Sequence, residues 1–157
     1  MNNTIQISEN KTLKLVNALI LEVNLQESDD ISNAIIRMEN YLKSKGALPI
    51  GPLIQKTQYF FNDAGQIELH TYIIRQSNTF IHNVEKPYKM ESLLRVGNCI
   101  YAHYVGPESK LKLAYDKINV IAFENGIDLS SESYTIFVNQ EDDLLTADVF
   151  VEKKKNE

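Results

Sequence analysis

HYVGPESKLKLAYDKINVIAFENG, residues 103–126, is the stretch on which the fold turns. An apolar run ends at Gly106, and Leu111, Ala114, Tyr115, Ile118, Ile121 and Ala122 then recur at the spacing of a helix with one buried side. Pro107 sits near the first helical position, where its missing N–H costs nothing, and Gly126 can take the left-handed conformation that closes a helix. The chain carries this pattern twice. NALILEVNL (17–25) with SDDISNAIIRMENYLKSKG (28–46) is echoed by NCIYAHYVG (98–106) with ESKLKLAYDKINVIAFENG (108–126). Adding 80 carries Ile20 onto Ile100, Ala34 onto Ala114, Ile35 onto Tyr115, Met38 onto Ile118, Tyr41 onto Ile121 and Gly46 onto Gly126, which reads as a repeat without a gap.

Outward from the two helices, alternation of apolar and polar residues predicts strands. Lys14 to Leu25 reads as the first, with Leu19, Leu21 and Val23 on one side and Ile20, Glu22 and Asn24 on the other. Ser28, Asp29 and Asp30 supply acceptors for the free N–H groups of the first helix, whose stripe is Ile31, Ile35, Met38 and Leu42 with Ala34 and Tyr41. Ala47 to Pro52, with two prolines and a glycine, reads as a loop. Gln55 to Asn62 and Ile67 to Arg75 form a predicted hairpin across Asn62 to Gly65, and Ser77 to Met90 an irregular connection partly packed on the body. Leu93 to Val105, bulged at Gly97, opens the second copy; Ser133 to Asn139 and Leu144 to Glu152 close it as a hairpin across Glu141 to Asp143. The expected fold is a single α+β domain of two pseudo-symmetric β-α-β-β units, about 13–76 and 91–153 with a connector at 77–90. These form one curved antiparallel sheet with both helices on one face and a groove on the other.

Composition narrows the partners. The 157 residues are 43% apolar and 24% charged with a net charge of −5, ordinary for a soluble domain and unsuited to a phosphate-binding surface. Lys153 to Lys155, the basic run, lies beside Glu152 at the C-terminus and reads as a solvated tail, so neither nucleic acid nor membrane is expected as a partner. A single cysteine, Cys99, leaves no internal disulfide, fits a reducing compartment and reads as a small core residue. No apolar stretch is long enough to span a bilayer, and no leader is visible; a cytoplasmic location is the expectation. His70, His82 and His103 are scattered without carboxylates or cysteines at metal spacing, so no metal and no cofactor is expected, nor is there a nucleophile elbow or phosphate loop.

Strand alternation also predicts what lines the groove. In the last hairpin Tyr134, Ile136, Val138, Leu145, Ala147, Val149 and Val151 are expected to pack on the helices, turning Thr135, Phe137, Thr146, Asp148 and Phe150 the other way. The repeat adds Gln58 and Phe60, with Glu68, His70 and Tyr72 beside them and Ile20, Glu22 and Tyr104 on the opening strands. An aromatic lining with a few placed polar groups suits a small-molecule site.

The runs HYVGPESKLKLAYDKINVIAFENGIDL and YTIFVNQEDDLLTADVFVEK, within residues 92–153, resemble the GyrI-like family, the effector-binding domain also found in multidrug-responsive bacterial transcription activators. The carriers are Gly106 and Pro107 before the helix, Ala114, Tyr115 and Ile118 within it, Gly126 after it, and a strand ending at Asn139 before the final hairpin strand. The resemblance implies two β-α-β-β units about a pseudo-twofold axis and an apolar, aromatic groove for lipophilic, often cationic, molecules. Aligned through Asn139, the family's groove glutamate falls on Thr135 and its partner aromatic on Phe137, where a tyrosine is commoner. Family hydrolases use that glutamate with a tyrosine, so no enzymatic activity is expected here. Glu22 and Asp148 are the substitutes for the missing charge. Two functions follow. One is a stand-alone binding domain for a lipophilic effector, without a DNA-binding segment. The other is a protein-interaction or inhibitor module with a degenerate groove; in either the protein is a monomer or weak dimer.

Overall fold

The computed structural model describes residues 4–24 and 31–155. In chain order its elements are β1 (Thr4–Val23), α1 (Ile31–Ser44), β2 (Pro49–Phe61), β3 (Ile67–Ser77), β4 (Lys89–Gly106), α2 (Lys112–Glu124), β5 (Leu129–Glu141) and β6 (Leu144–Lys153). The protein is of the α+β class, and its strand pairs β1–β3, β2–β3, β4–β6 and β5–β6 are antiparallel. Ser28, Asp29 and Asp30, expected to cap α1, lie outside the described residues. Two compact units divide the chain, one of residues 14–95 and the other of residues 1–13 with 96–157.

In the 14–95 unit, β3 lies between β1 and β2. Leu19, Leu21 and Ile73 meet Ala34, Met38 and Leu42 of α1 in one core, so the helical stripe and the strand alternation bury each other. Gly46, at φ 77°, ends the helix as its sequence position predicts. Arg75 ties the layers together, donating from one nitrogen to the Gly51 carbonyl (2.7 Å) and pairing through another with Glu39 of α1 (3.1 Å). The segment between β3 and β4 is irregular, as expected, and packs on this core through Ile81, Val84 and Tyr88. Tyr41 latches it to α1. The phenol accepts from the Glu85 N–H (3.0 Å) and its ring stacks on Tyr88 at 4.4 Å. Lys45 pairs with the Glu85 carboxylate at 2.9 Å, a contact that raises the lysine's pKa and lowers the glutamate's.

In the other unit, β6 lies between β4 and β5. Ile100, Ala102 and Tyr104 of β4 and Val149 and Val151 of β6 pack on Ala114, Ile118 and Ala122 of α2. The entry to α2 differs from expectation. Pro107 is followed by a single 3-10 turn, Glu108–Lys110, before α2 begins, and its carbonyl accepts a 2.5 Å hydrogen bond from the buried Tyr104 phenol.

Other boundaries also shift. β1 begins at Thr4, well before Lys14, and its start, Thr4 to Ser8, alternates; Ile5 and Ile7 pack on the core of the second unit. Ala47 to Pro52 is not all loop: β2 starts at Pro49, which pairs with Ser77. The register jumps between Ile50 and Ile54, a bulge that accommodates both Pro52 and Gly51 at φ 71°. In β4 the left-handed residue is Asn98 rather than Gly97. Lys153 belongs to β6 and is anchored to Glu9 (3.3 Å) and Asn10 (3.1 Å), so it is no part of a frayed tail.

Candidate functional site

A single offset of 80 does not relate the two halves throughout. In the helices the spacing of 80 holds: Ala34, Met38 and Leu42 are buried, and so are Ala114, Ile118 and Ala122. In the opening strands the helix-facing sets are Leu19 and Leu21 against Ile100 and Ala102, which are 81 apart. Left-handed residues mark the slip independently, since Asn17 (φ 47°) and Asn98 (φ 51°) are 81 apart whereas Gly46 and Gly126 are 80 apart. The stretch between strand and helix is therefore one residue shorter in the second unit than in the first. Because strand side chains alternate, a slip of one exchanges the two sides.

Three expected site residues face the helix instead, one of them through that exchange. Tyr104 was placed on the groove side by carrying the Ile20 and Glu22 phase across; it faces α2 and is fully buried. Thr135 is paired with Val149 and Phe137 with Ala147, and directly paired residues share a side, so both face the helix. The Tyr115 phenol of α2 is hydrogen bonded to the Thr135 hydroxyl. The physical cause lies in β5, where the register jumps between Phe137 and Asn139; an alignment through Asn139 crosses this irregularity and arrives one residue out of phase. Tyr134 and Ile136, expected on the core side, stand instead across from Phe150 and Asp148.

The helix-free side of the second unit is thus built from Cys99, Tyr101, His103 and Val105 of β4, Thr146, Asp148, Phe150 and Glu152 of β6, and Tyr134 and Ile136 of β5. At its centre is a carboxylate with two donors. Asp148 Oδ1 accepts from the Tyr101 hydroxyl at 2.6 Å and lies 2.7 Å from His103 Nδ1; Oδ2 makes no hydrogen bond among the described residues. The His103 and Asp148 side chains are 35% and 23% exposed, so the pair is partly desolvated yet open to a solute. Phe150 packs its ring on Tyr101 at 4.9 Å. Burial and the neighbouring Asp148 carboxylate push the Tyr101 phenol well above its ordinary pKa, so it stays a donor. Burial does the same for Tyr134. Cys99 is fully buried and its thiol is pushed up to about 11, mainly by burial, which makes it an inert core residue as its apolar neighbours predict.

In the 14–95 unit, Ile20, Glu22, Gln58, Phe60, Glu68 and Tyr72 do share the helix-free side, together with His70. His70 lies between two carboxylates, with Nδ1 3.4 Å from Glu22 and Nε2 3.4 Å from Glu68, and Phe60 meets its ring edge-on at 4.8 Å. Lys56 lies over the Tyr72 ring. Two clefts open where β1 ends. One of about 730 Å³ is lined by Glu22, Glu68 and His70 with Ile67 and Leu69. The other, about 460 Å³, runs between β1 and α1 past Leu21, Ala34, Arg37, Pro87 and Tyr88.

Among the described residues no three histidine, cysteine or carboxylate side chains come together as a metal site, and no helix is long and apolar enough to cross a membrane. The residues that the sequence reading missed are His103 and Tyr101. Their signal was present: His103 lies in phase with Asp148 once β4 is given its own register.

No family model matches the chain, and no curated protein does. Among solved structures, the fold is similar to that of a hydrolase from Listeria innocua, with a TM-score of 0.60 over 96% of this chain and 91% of that one, at 13% identity. At that identity the likeness is one of fold.

Proposed function

We propose that the protein is a GyrI-like small-molecule binding module, built from two pseudo-symmetric copies of a β-α-β-β unit, that captures a lipophilic cation with Asp148 as counter-ion. The observation that carries this reading is the half-buried Asp148 carboxylate, flanked by Phe150, with Oδ1 occupied by Tyr101 and His103 and Oδ2 without a hydrogen bond among the described residues. A carboxylate in such a setting is poorly hydrated, and an organic cation that also covers the aromatic rings recovers both electrostatic and apolar free energy. The missing glutamate at Thr135 does not count against it, because that position faces the helix. The likeness to a hydrolase is one of fold, and no turnover is proposed from it.

The test is a titration with tetraphenylphosphonium, a permanent cation with aromatic bulk. Saturable binding by the wild type, weakened tenfold or more in Asp148→Asn without loss of the folded state, supports the reading. Equal binding by the two proteins sinks it.

A second reading, a protein-interaction module, is favoured by the end of the β2–β3 hairpin, where Tyr59, Phe61, Ile67 and Leu69 share one side and are all more than half exposed. Binding of tetraphenylphosphonium that is absent in all proteins, with Phe61→Ser abolishing recovery of a specific partner, would favour it.

A further inference from the structure

We infer that Asp148 is a counter-ion shared between His103 and the bound cation, so that taking up the cation drives a proton off His103. The inference rests on the proposed binding role and adds to it a competitor built into the site. His103 Nδ1 is 2.7 Å from Asp148 Oδ1, within charge-assisted hydrogen-bond distance. A protonated imidazole there neutralises the carboxylate and sets a like charge beside any cation that approaches Oδ2. A neutral imidazole still donates one N–H to Oδ1 but leaves the carboxylate's full charge to the ligand.

The other groups directed to this side by the strands of the same unit do not supply a rival explanation. β4 presents Tyr101 and Val105 beside His103; β6 presents Thr146 and Phe150 beside Asp148; β5 presents Tyr134 and Ile136. Both tyrosines are phenols kept protonated by their surroundings. The further charges are Glu132 of β5 and Glu152 of β6, both of which act on Tyr134; Glu152 stands opposite Cys99, two strand pairs from His103 and Asp148, and Glu132 precedes Tyr134 at the far end of β5 from Ile136. His103 is thereby the imidazole on this side that touches the counter-ion.

The sign follows from linkage. Cation binding favours the neutral imidazole, so affinity rises with pH across the range in which imidazoles titrate and levels off above it. Below that range each pH unit lowers the association constant by up to about tenfold, the limit for release of one proton. Tetraphenylphosphonium is the probe, because its charge does not change with pH. Calorimetry from about pH 5 to about pH 8.5, in two buffers of different ionisation enthalpy, counts the protons released on binding. The expected result is release of a measurable fraction of a proton at the acid end of this range, falling towards zero at its alkaline end. In His103→Gln, which keeps an uncharged donor beside Asp148, binding continues and its pH dependence across this range disappears. Proton release by the wild type, read from the two buffers, tests the inference even if that variant folds poorly. Wild-type binding that depends on Asp148 but is flat with pH and releases no proton overturns the shared counter-ion and leaves the binding role standing. An absence of binding at pH 8.5, where competition is weakest, overturns both.

Discussion

Thr135 and Ile136 are adjacent in β5 and lie in opposite environments. Thr135 is 2% exposed, hydrogen bonded to Tyr115 and paired with Val149 of the core; Ile136 is half-buried and stands across from Asp148. A carboxylate therefore has different consequences at the two positions. Thr135→Glu buries an unpaired charge beneath α2 and breaks a buried hydrogen bond, and is expected to cost about 3 kcal/mol or more in thermal or denaturant unfolding. Ile136→Glu places a second acid beside Asp148, with a cost of about 1 kcal/mol for the like-charge pair, and is expected to tighten tetraphenylphosphonium binding several-fold. Unfolding curves and titrations on the two variants check both. The opposite order, with Thr135→Glu the better folded or the tighter binder, would show that the strand phase is the one read from the sequence.

At the scale of elements, the helices were legible and the phases of β4 and β5 were not. A helix announces its buried side through five or six residues at 3.6-residue spacing, so the stripes of α1 and α2 tolerate an ambiguous position. A strand offers only two sides, and in Tyr134–Val138 both carry apolar residues: Tyr134, Ile136 and Val138 on one, Phe137 on the other. The bulges settled the matter, and they are written in residues that read as merely polar. Asn17 and Asn98 hold φ of 47° and 51° within β1 and β4, a conformation that asparagine tolerates and β-branched residues do not. Asn98→Gly is accordingly expected to leave stability within about 0.5 kcal/mol of wild type, whereas Asn98→Val costs about 1–2 kcal/mol from strain at positive φ. Denaturant melts of the two variants distinguish this from a packing role. If both variants lose the same stability, the asparagine side chain rather than its backbone conformation is what the strand needs. Asp148 and Phe150 were visible in advance because β6 alternates strictly, with Leu145, Ala147, Val149 and Val151 buried. His103 was hidden because its side of β4 follows from Asn98, not from its own neighbours.

At the scale of the whole molecule, 21 acidic and 16 basic side chains give a net charge of −5, and this field would act on the same cation that is proposed to bind at Asp148. The two contributions differ in range. The field of the exposed charges is screened over a distance that shrinks from about 30 Å at 0.01 M salt to about 3 Å at 1 M. The proposed contact with Asp148, whose side chain is 23% exposed, would be close and partly desolvated, so salt would reach it less. Raising sodium chloride from about 20 mM to about 500 mM is therefore expected to weaken tetraphenylphosphonium binding by about two- to fivefold in the wild type. Asp148→Asn should bind more weakly than the wild type at every salt concentration, by a ratio that changes little across the series. Parallel titrations of the two proteins measure both quantities. If instead the ratio collapses towards one at high salt, Asp148 contributes only to the general field, and the ligand's positive charge is not held against that carboxylate.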